Sequence, residues 1–131
     1  GNTCRSPMAE AIFNDMAEKN GVCVRAESFG IATSTGLPVS ENSVIACKEI
    51  GIDLSGKAST AVADAGIEKY EKFYCMSQSH AKMLMQFFLV QPEKIAVLGI
   101  SDPYGGDIEV YRHCRDEIVN SVKEILKAYE N

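Results

Sequence analysis

Long apolar runs are absent from this chain of 131 residues. The longest obvious one covers only residues 87–90, whereas a membrane-spanning helix needs roughly 18 apolar residues, so we expect no membrane partner. The five cysteines include no C-x-x-C pair, which argues against a structural zinc site. Their odd number and wide spacing predict a reduced, cytoplasmic protein. Nothing in the sequence implies a metal or an organic cofactor.

Positive charge is also scarce. There are 13 Lys and Arg residues against 18 Asp and Glu residues, which gives a net charge of −5. This balance excludes a broad nucleic-acid surface, because such a surface would be basic. A small anion site remains possible, since backbone N–H groups and one arginine suffice to build it. Length and composition, with 46% hydrophobic and 24% charged residues, predict one globular domain.

Apolar periodicity predicts helices and strands in alternation. The first helix is predicted to have Ser6 as N-cap and Pro7 as first helical residue, and to end at Asn20 and Gly21. Four more helices are predicted: one that is capped by Ser40 and runs to about residue 50, and others over 60–69, 79–88 and 108–129. In the last of these, a spacing of four predicts one apolar face, formed by Val110, Cys114, Ile118, Val122 and Leu126. Strands are predicted over 22–29, 72–76 and 94–99. This order indicates an α/β fold in which helices connect parallel strands.

The order of elements indicates one strand more than the sequence contains. An α/β chain normally opens with a strand, but this one opens with a loop that enters a helix. Three predicted strands remain where a doubly wound sheet needs at least four. We therefore expect a further strand just upstream of Gly1.

The opening loop has the chemistry of an anion site. First-turn N–H groups have no partner within their helix, and the helix dipole adds partial positive charge. Arg5 adds a planar fork that suits two phosphate oxygens, and Ser6 adds a hydroxyl group.

The string GNTCRSPMAEAIF at residues 1–13 resembles the active-site loop and first helix of low-molecular-weight protein tyrosine phosphatases. Asp102, Pro103 and Tyr104 resemble the general-acid motif of that family. The resemblance covers the whole chain, so it implies a single phosphatase domain over residues 1–131. The implied fold is a three-layer sandwich around a four-stranded parallel sheet, with the first strand outside the given sequence.

The resemblance also implies a mechanism through a phosphocysteine intermediate. Phosphate, or a similar oxyanion, would be bound by the loop residues Gly1, Asn2, Thr3, Cys4, Arg5 and Ser6. Arg5 would stabilise charge on the phosphoryl oxygens, and Asp102 would protonate the leaving group and then activate water. The family pattern C-x5-R sets the nucleophile two residues before Gly1, outside this sequence. Cys4 matches the family's second cysteine, which can form a protective disulfide with the nucleophile.

Two residues bear on the substrate, which the resemblance makes a phosphorylated protein. Thr3 resembles the corresponding threonine of bacterial protein-arginine phosphatases, although threonine also occurs in relatives that act on phosphotyrosine. Tyr104, in a turn that resembles bacterial members, would line the substrate cleft with Thr3. Phosphoarginine and phosphotyrosine both remain open.

Two other functions remain open as alternatives. Because the nucleophile is outside the sequence, the chain could be an inactive module that binds phosphate or a phosphoprotein. An arsenate reductase of the same fold would need two further cysteines close together, and Cys75 has no such neighbour in sequence.

The remaining candidates have ordinary structural interpretations. We interpret Cys23, Cys47 and Cys75 as buried apolar residues, His80 as a polar residue at a helix start, and His113 as solvated.

Overall fold

The computed structural model describes residues 4–31, 35–61 and 66–129. The loop residues Gly1, Asn2 and Thr3 therefore lie outside the described residues. The regular structure of the described residues consists of helices and two parallel strands, which confirms the predicted α/β class.

Within the described residues there are four α-helices: α1 (Arg5–Lys19), α2 (Glu41–Lys48), α3 (Gln78–Phe87) and α4 (Ile108–Lys127). Short 3-10 turns cover Ile67–Lys69 and Pro92–Lys94. Three helices begin at a side chain that accepts a hydrogen bond from the first helical turn. These N-caps are Ser40 for α2, Ser77 for α3 and Asp107 for α4.

Two short strands form the described part of the sheet. β1 (Phe73–Cys75) pairs in parallel with β2 (Ile95–Val97), and Tyr74 lies opposite Ala96. Helix α3 connects the two strands, as the sequence predicted for this βαβ unit. The chain that follows each strand therefore leaves from the same edge of the sheet.

The main core lies between α1 and α4. Met8 and Ile12 of α1 and Ile118 of α4 are fully buried there. The predicted apolar face of α4 is confirmed except at its start. Val110 is 45% exposed, and Tyr111 takes the buried position, because a strict spacing of four drifts off one face of a helix with 3.6 residues per turn.

The strand predicted over residues 22–29 is wrong. This segment forms no regular strand, because its backbone is held by side chains of α1. Asn14 donates from Nδ2 to the carbonyl of Ala26 at 2.9 Å and accepts from the N–H of Ala26 at 2.8 Å. Glu10 accepts from the N–H of Ser28 at 2.6 Å. The side chains of Asn14 and Glu10 thus make backbone hydrogen bonds that a neighbouring strand would otherwise make.

Three smaller expectations are also wrong. Helix α1 begins at Arg5 with Cys4 as its N-cap, so the prediction that Ser6 is the N-cap is wrong. Ser6 and Pro7 lie inside the first turn, where the missing N–H of Pro7 removes no hydrogen bond of the helix. Of the helix predicted over 60–69, only Ile67–Lys69 is helical among the described residues, because residues 60 and 61 are extended and Ala61 bridges to Gly30.

Cys23 is exposed, in contrast to the prediction that it is buried. It lies in the segment 22–29, beside which the described residues form no strand that could cover its side chain.

Candidate functional site

Arg5 stands at the start of α1 and reaches the end of the sheet. Its Nη1 donates to the carbonyl oxygen of Ile100 at 2.6 Å, just beyond the end of β2. Its Nη2 lies 3.9 Å from Oδ2 of Asp102. The Arg5 side chain is only 15% exposed, so its guanidinium is held in one place by the fold. The two residues predicted to be catalytic are therefore brought together across 97 positions of sequence.

Asp102 is presented by a tight turn that follows β2. Its Oδ1 accepts from the backbone N–H of Tyr104 at 3.0 Å, which fixes one carboxylate oxygen and leaves the other facing Arg5. Pro103 is fully buried and anchors the turn. A Cβ on Gly106 would lie 2.8 Å from Cβ of Val110, so only glycine fits where the turn meets α4. The Asp102 side chain remains 58% exposed, as a proton donor to a substrate must be.

Cys4 lies beneath this end of the molecule, not at its surface. Its Sγ is 3.5 Å from the hydroxyl oxygen of Tyr111, and its backbone carbonyl accepts from Oγ of Ser43 at 3.4 Å. Both neighbours are buried and belong to α4 and α2. Burial and the contact with Cys4 raise the pKa of Tyr111 to about 12, so its hydroxyl stays neutral. Cys4 thus supports the start of α1 from below.

Helices α2 and α4, which hold Cys4, are themselves tied together. Arg115 donates from Nη1 to the carbonyl of Ala46 at 2.9 Å and to Glu49 at 2.8 Å. Arg112 donates to the same Glu49 carboxylate at 2.7 Å from Nη2. The two guanidinium groups hold the pKa of Glu49 below its usual value, so this link between α2 and α4 is ionic at neutral pH.

A cleft of about 960 Å³ begins at Arg5 and runs along the sheet. Its lining includes Ser6, His80, Asp102 and Tyr104, and the charges of Arg5 and Asp102 act on His80. Further along, one wall is formed by residues 24–31 and the other by residues 69–76. Tyr104 is 81% exposed at the mouth of the cleft, where an incoming group would meet its ring.

The sequence analysis interpreted His80 as a polar residue at a helix start, and the structure places it among the residues that line the cleft. It lies in the first turn of α3, just beyond β1, and its side chain lines the cleft. Burial and the nearby Arg5 cation lower its pKa, against the opposing effect of Asp102. The sequence offered one usable signal, since ligands bind at the carboxyl edge of a parallel sheet and His80 follows β1 closely.

Of the predicted site residues, the structure brings together Arg5, Ser6, Asp102 and Tyr104 around the end of the cleft, with Cys4 in its wall. Gly1, Asn2 and Thr3 lie outside the described residues. The contacts of Cys4 with Ser43 and Tyr111 had no signal in the sequence, because they join residues 39 and 107 positions apart.

No group of three or more His, Cys, Asp or Glu side chains could hold a metal ion within residues 4–31, 35–61 and 66–129. In the same part of the chain, no helix has the length and apolar character that crossing a membrane requires.

Comparison with known proteins defines the class to which this fold and site belong. The sequence profile described as "Low molecular weight phosphotyrosine protein phosphatase" matches residues 1–131. The chain belongs to this family of protein phosphatases, as the resemblance at its first loop predicted.

Two similar proteins are protein-arginine phosphatases. The one from Bacillus subtilis is 30% identical, over 97% of this chain and 90% of that protein. The one from Geobacillus stearothermophilus is 32% identical, over 97% of this chain and 89% of that protein.

Solved structures show the same fold. The low molecular weight protein tyrosine phosphatase from T. tengcongensis is 31% identical, over 98% of this chain and 93% of that chain, with a TM-score of 0.92. A mutant of the arginine phosphatase YwlE that carries a phosphorylated active-site serine is 30% identical, over 98% of this chain and 90% of that chain, also with a TM-score of 0.92.

Three buried thiols make the stability of the fold sensitive to alkaline pH. Burial raises the pKa of Cys47 from 9.0 to about 12, and those of Cys75 and Cys114 to about 11. In the unfolded chain these thiols ionise first, so the unfolded state gains stability as soon as the pH rises above 9. The contribution of the three buried thiols to the free energy of unfolding is complete below pH 9 and is lost as the pH rises through 11 and 12.

We therefore expect the free energy of unfolding, measured with urea under reducing conditions, to fall between about pH 8 and about pH 10. Cys47→Ala should lower stability at both pH values but reduce the fall between them. The exposed Cys23→Ala is the matched control and should leave the fall unchanged. An equal fall in Cys47→Ala and the unaltered protein would contradict this assignment.

Proposed function

We propose that this protein hydrolyses phosphate from phosphorylated proteins at the end of the cleft marked by Arg5. The observation that carries the proposal is the pairing of a fixed arginine with an exposed carboxylate, Nη2 of Arg5 being 3.9 Å from Oδ2 of Asp102. A phosphoryl group bound by Arg5 would lie within reach of Asp102. Membership of the family supplies independent support.

The phosphate-binding loop is proposed to span Gly1 to Ser6. Arg5 would contribute two parallel N–H donors, which match the geometry of phosphoryl oxygens. The first-turn N–H groups of α1 and the positive end of its dipole point the same way. Gly1, Asn2 and Thr3 are assigned to this loop on the sequence motif.

The proposed reaction has two displacements at phosphorus. A cysteine thiolate attacks phosphorus, the bond from phosphorus to the leaving atom breaks, and Asp102 gives its proton to that atom. Water then attacks the phosphocysteine, Asp102 takes a proton from the water, and the thiolate and inorganic phosphate are released. The phosphorylated active-site serine in the YwlE mutant structure supports a covalent phosphoenzyme.

We further propose that residues 1–131 form one phosphatase domain that is completed by a strand carrying the nucleophile. The cleft supports this proposal, since residues 24–31 and 72–76 both line it and a further strand could lie between them. By the family's C-x5-R spacing, the cysteine would precede Arg5 by six residues. It would then emerge from the cleft beside Arg5, at the start of α1.

The intact mass of the protein isolated from its own cells tests this assignment. We expect a mass about 1 kDa above 14.3 kDa, which corresponds to roughly ten residues of strand and loop. A mass of 14.3 kDa would overturn the assignment and favour the alternative of an inactive phosphate-binding module.

Arg5→Ala should abolish the anion site. Charge-assisted hydrogen bonds contribute roughly 1.5–3 kcal/mol each, so we expect phosphate affinity to fall by about tenfold to a hundredfold or more and turnover of any phosphomonoester to fall with it. Arg5→Lys should restore only part of the affinity, since lysine has no planar fork. Lys123→Ala, which removes an exposed cation of α4, is the control. Normal turnover by Arg5→Ala would refute the proposed function.

Asp102→Ala should slow the phosphorylation of the nucleophile most for substrates with poor leaving groups, because these need a proton. General acid catalysis contributes a factor of about 10²–10⁴. The measurement is single-turnover kinetics on a series of aryl phosphates whose phenols differ in pKa. Asp116→Ala, an exposed carboxylate on α4, should behave like the unaltered protein. A loss that is equal for all leaving groups would remove Asp102 from this role.

Phosphoarginine is the phosphoryl group we propose first. Thr3 supports it, as do the two protein-arginine phosphatases at 30% and 32% identity. Phosphotyrosine is the second candidate, because a protein-tyrosine phosphatase of Bacillus subtilis is 30% identical over 79% of this chain. The ratio of kcat/KM on matched phosphoarginine and phosphotyrosine peptides decides between them.

A cytoplasmic bacterial setting completes the proposal. It is supported by the odd number and wide spacing of the five cysteines and by bacterial relatives. Arsenate reduction is disfavoured because Cys47, Cys75 and Cys114 are buried and have raised pKa values, whereas a thiol relay needs accessible thiolates.

A further inference from the structure

His80 occupies a position from which it can meet a bound anion. Its side chain lines the same end of the cleft as Arg5, Asp102 and Tyr104. The imidazole is half-buried, and Arg5 and Asp102 are the charged side chains of the described residues that act on it. It belongs to α3, so it approaches the site from the edge of β1, whereas Asp102 approaches from the edge of β2.

The position of His80 at the start of α3 does not explain why this residue has an imidazole side chain. The cap of α3 is made by Ser77, whose Oγ accepts from the backbone N–H of His80 at 3.4 Å. Any residue with a backbone N–H would serve there. The imidazole itself makes no hydrogen bond or ion pair with the residues that the structure describes. Its two ring nitrogens are thus left for a group that enters the cleft.

We propose that His80 is a binding residue of the phosphate site, where its imidazole contacts the bound oxyanion opposite Asp102. The inference rests on the proposed function, since it needs an anion at Arg5. Near neutral pH the imidazole is uncharged and donates one hydrogen bond. At lower pH it becomes a cation and adds attraction for a dianion. An anion held there raises in turn the affinity of the imidazole for its proton, because the coupling is reciprocal.

The sign of the pH effect follows from this coupling. Burial and Arg5 lower the pKa of His80 in the absence of a ligand. A bound dianion stabilises the charged imidazole and shifts the pKa upward. Affinity for the dianion therefore increases as the pH falls through this range. Sulfate is the suitable probe, since it stays a dianion where phosphate would change its own charge.

The test is a proton NMR titration of the protein between about pH 4.5 and pH 8, with saturating sulfate and with sodium chloride at matched ionic strength. The sequence contains two histidines, so His113 is an internal control. It is 78% exposed on α4, where it pairs with Glu117 at 3.2 Å. We expect sulfate to raise the titration midpoint of His80 by about half a unit or more, by Coulomb attraction, and to leave that of His113 nearly unchanged.

Variants give a second readout that a merely structural role would not move. Sulfate affinity of the unaltered protein should increase as the pH falls from 7.5 to 4.5, toward the limit of about threefold that a half-unit shift in pKa sets. His80→Asn keeps a polar side chain that does not titrate, so it should lose most of this increase. His113→Asn should retain it. Equal pH dependence in all three proteins would overturn the proposal.

The failure of this inference can be told apart from failure of the proposed function. The backbone amide signals of Arg5 and Ser6 report sulfate at the start of α1. If sulfate moves these signals but not the midpoint of His80, the anion site stands and His80 has no part in it. If sulfate moves neither, the anion site itself is absent and the proposed function fails with it.

Discussion

The hydrogen bond from Arg5 to the carbonyl of Ile100 joins the two parts of the molecule on which the site depends. One part is the start of α1, and the other is the end of β2 with the turn that carries Asp102. A largely buried guanidinium needs such partners, because burial of an unpaired charge is costly. The bond uses Nη1 and leaves Nη2 toward the cleft, 3.9 Å from Asp102. The same interaction thus satisfies the buried charge and orients it for an anion.

The support beneath this bond comes from the opposite side of the fold. Cys4 is held by Ser43 of α2 and by Tyr111 of α4, and Arg115 ties these two helices together. Ser43, Tyr111 and Arg115 do not line the cleft, whereas Cys4 forms part of its wall. They fix the start of α1 from behind, so that its first-turn N–H groups keep one direction. A preorganised anion site requires this rigidity, since donors that reorient on binding lose part of their effect.

Features that depend on near neighbours in sequence were predictable. Ser40 was identified as the N-cap of α2, because a cap acts over three residues. The buried face of α4 followed from spacing, apart from the exchange of Val110 for Tyr111. The segment 22–29 was not predictable. Its alternating pattern fits a strand, but a strand exists only with a neighbour, and here the side chain of Asn14 takes the bonds of Ala26.

The residues of the candidate site also divide into those that short motifs identify and those whose surroundings only the tertiary structure shows. Arg5 and Asp102 were identified from short motifs, each of which carries its chemistry locally. The exposure of Cys23 and the burial of Cys4 were not predictable from the sequence, since each depends on which residues pack against the cysteine. His80 was interpreted as an ordinary helix-start residue, because the sequence cannot tell that Ser77 alone makes the cap and that the imidazole faces the cleft.

The sequence by itself determined the α/β class, most helix boundaries and the chemistry of the two motifs. These rest on periodicity, capping and residue type, which act within one or two helical turns. Only the tertiary structure decided that Arg5 meets Asp102, that Cys4 packs against Tyr111, and that His80 lines the same cleft as Arg5. Those contacts join residues dozens of positions apart, and their geometry is set by how α1, α4 and the two strands pack.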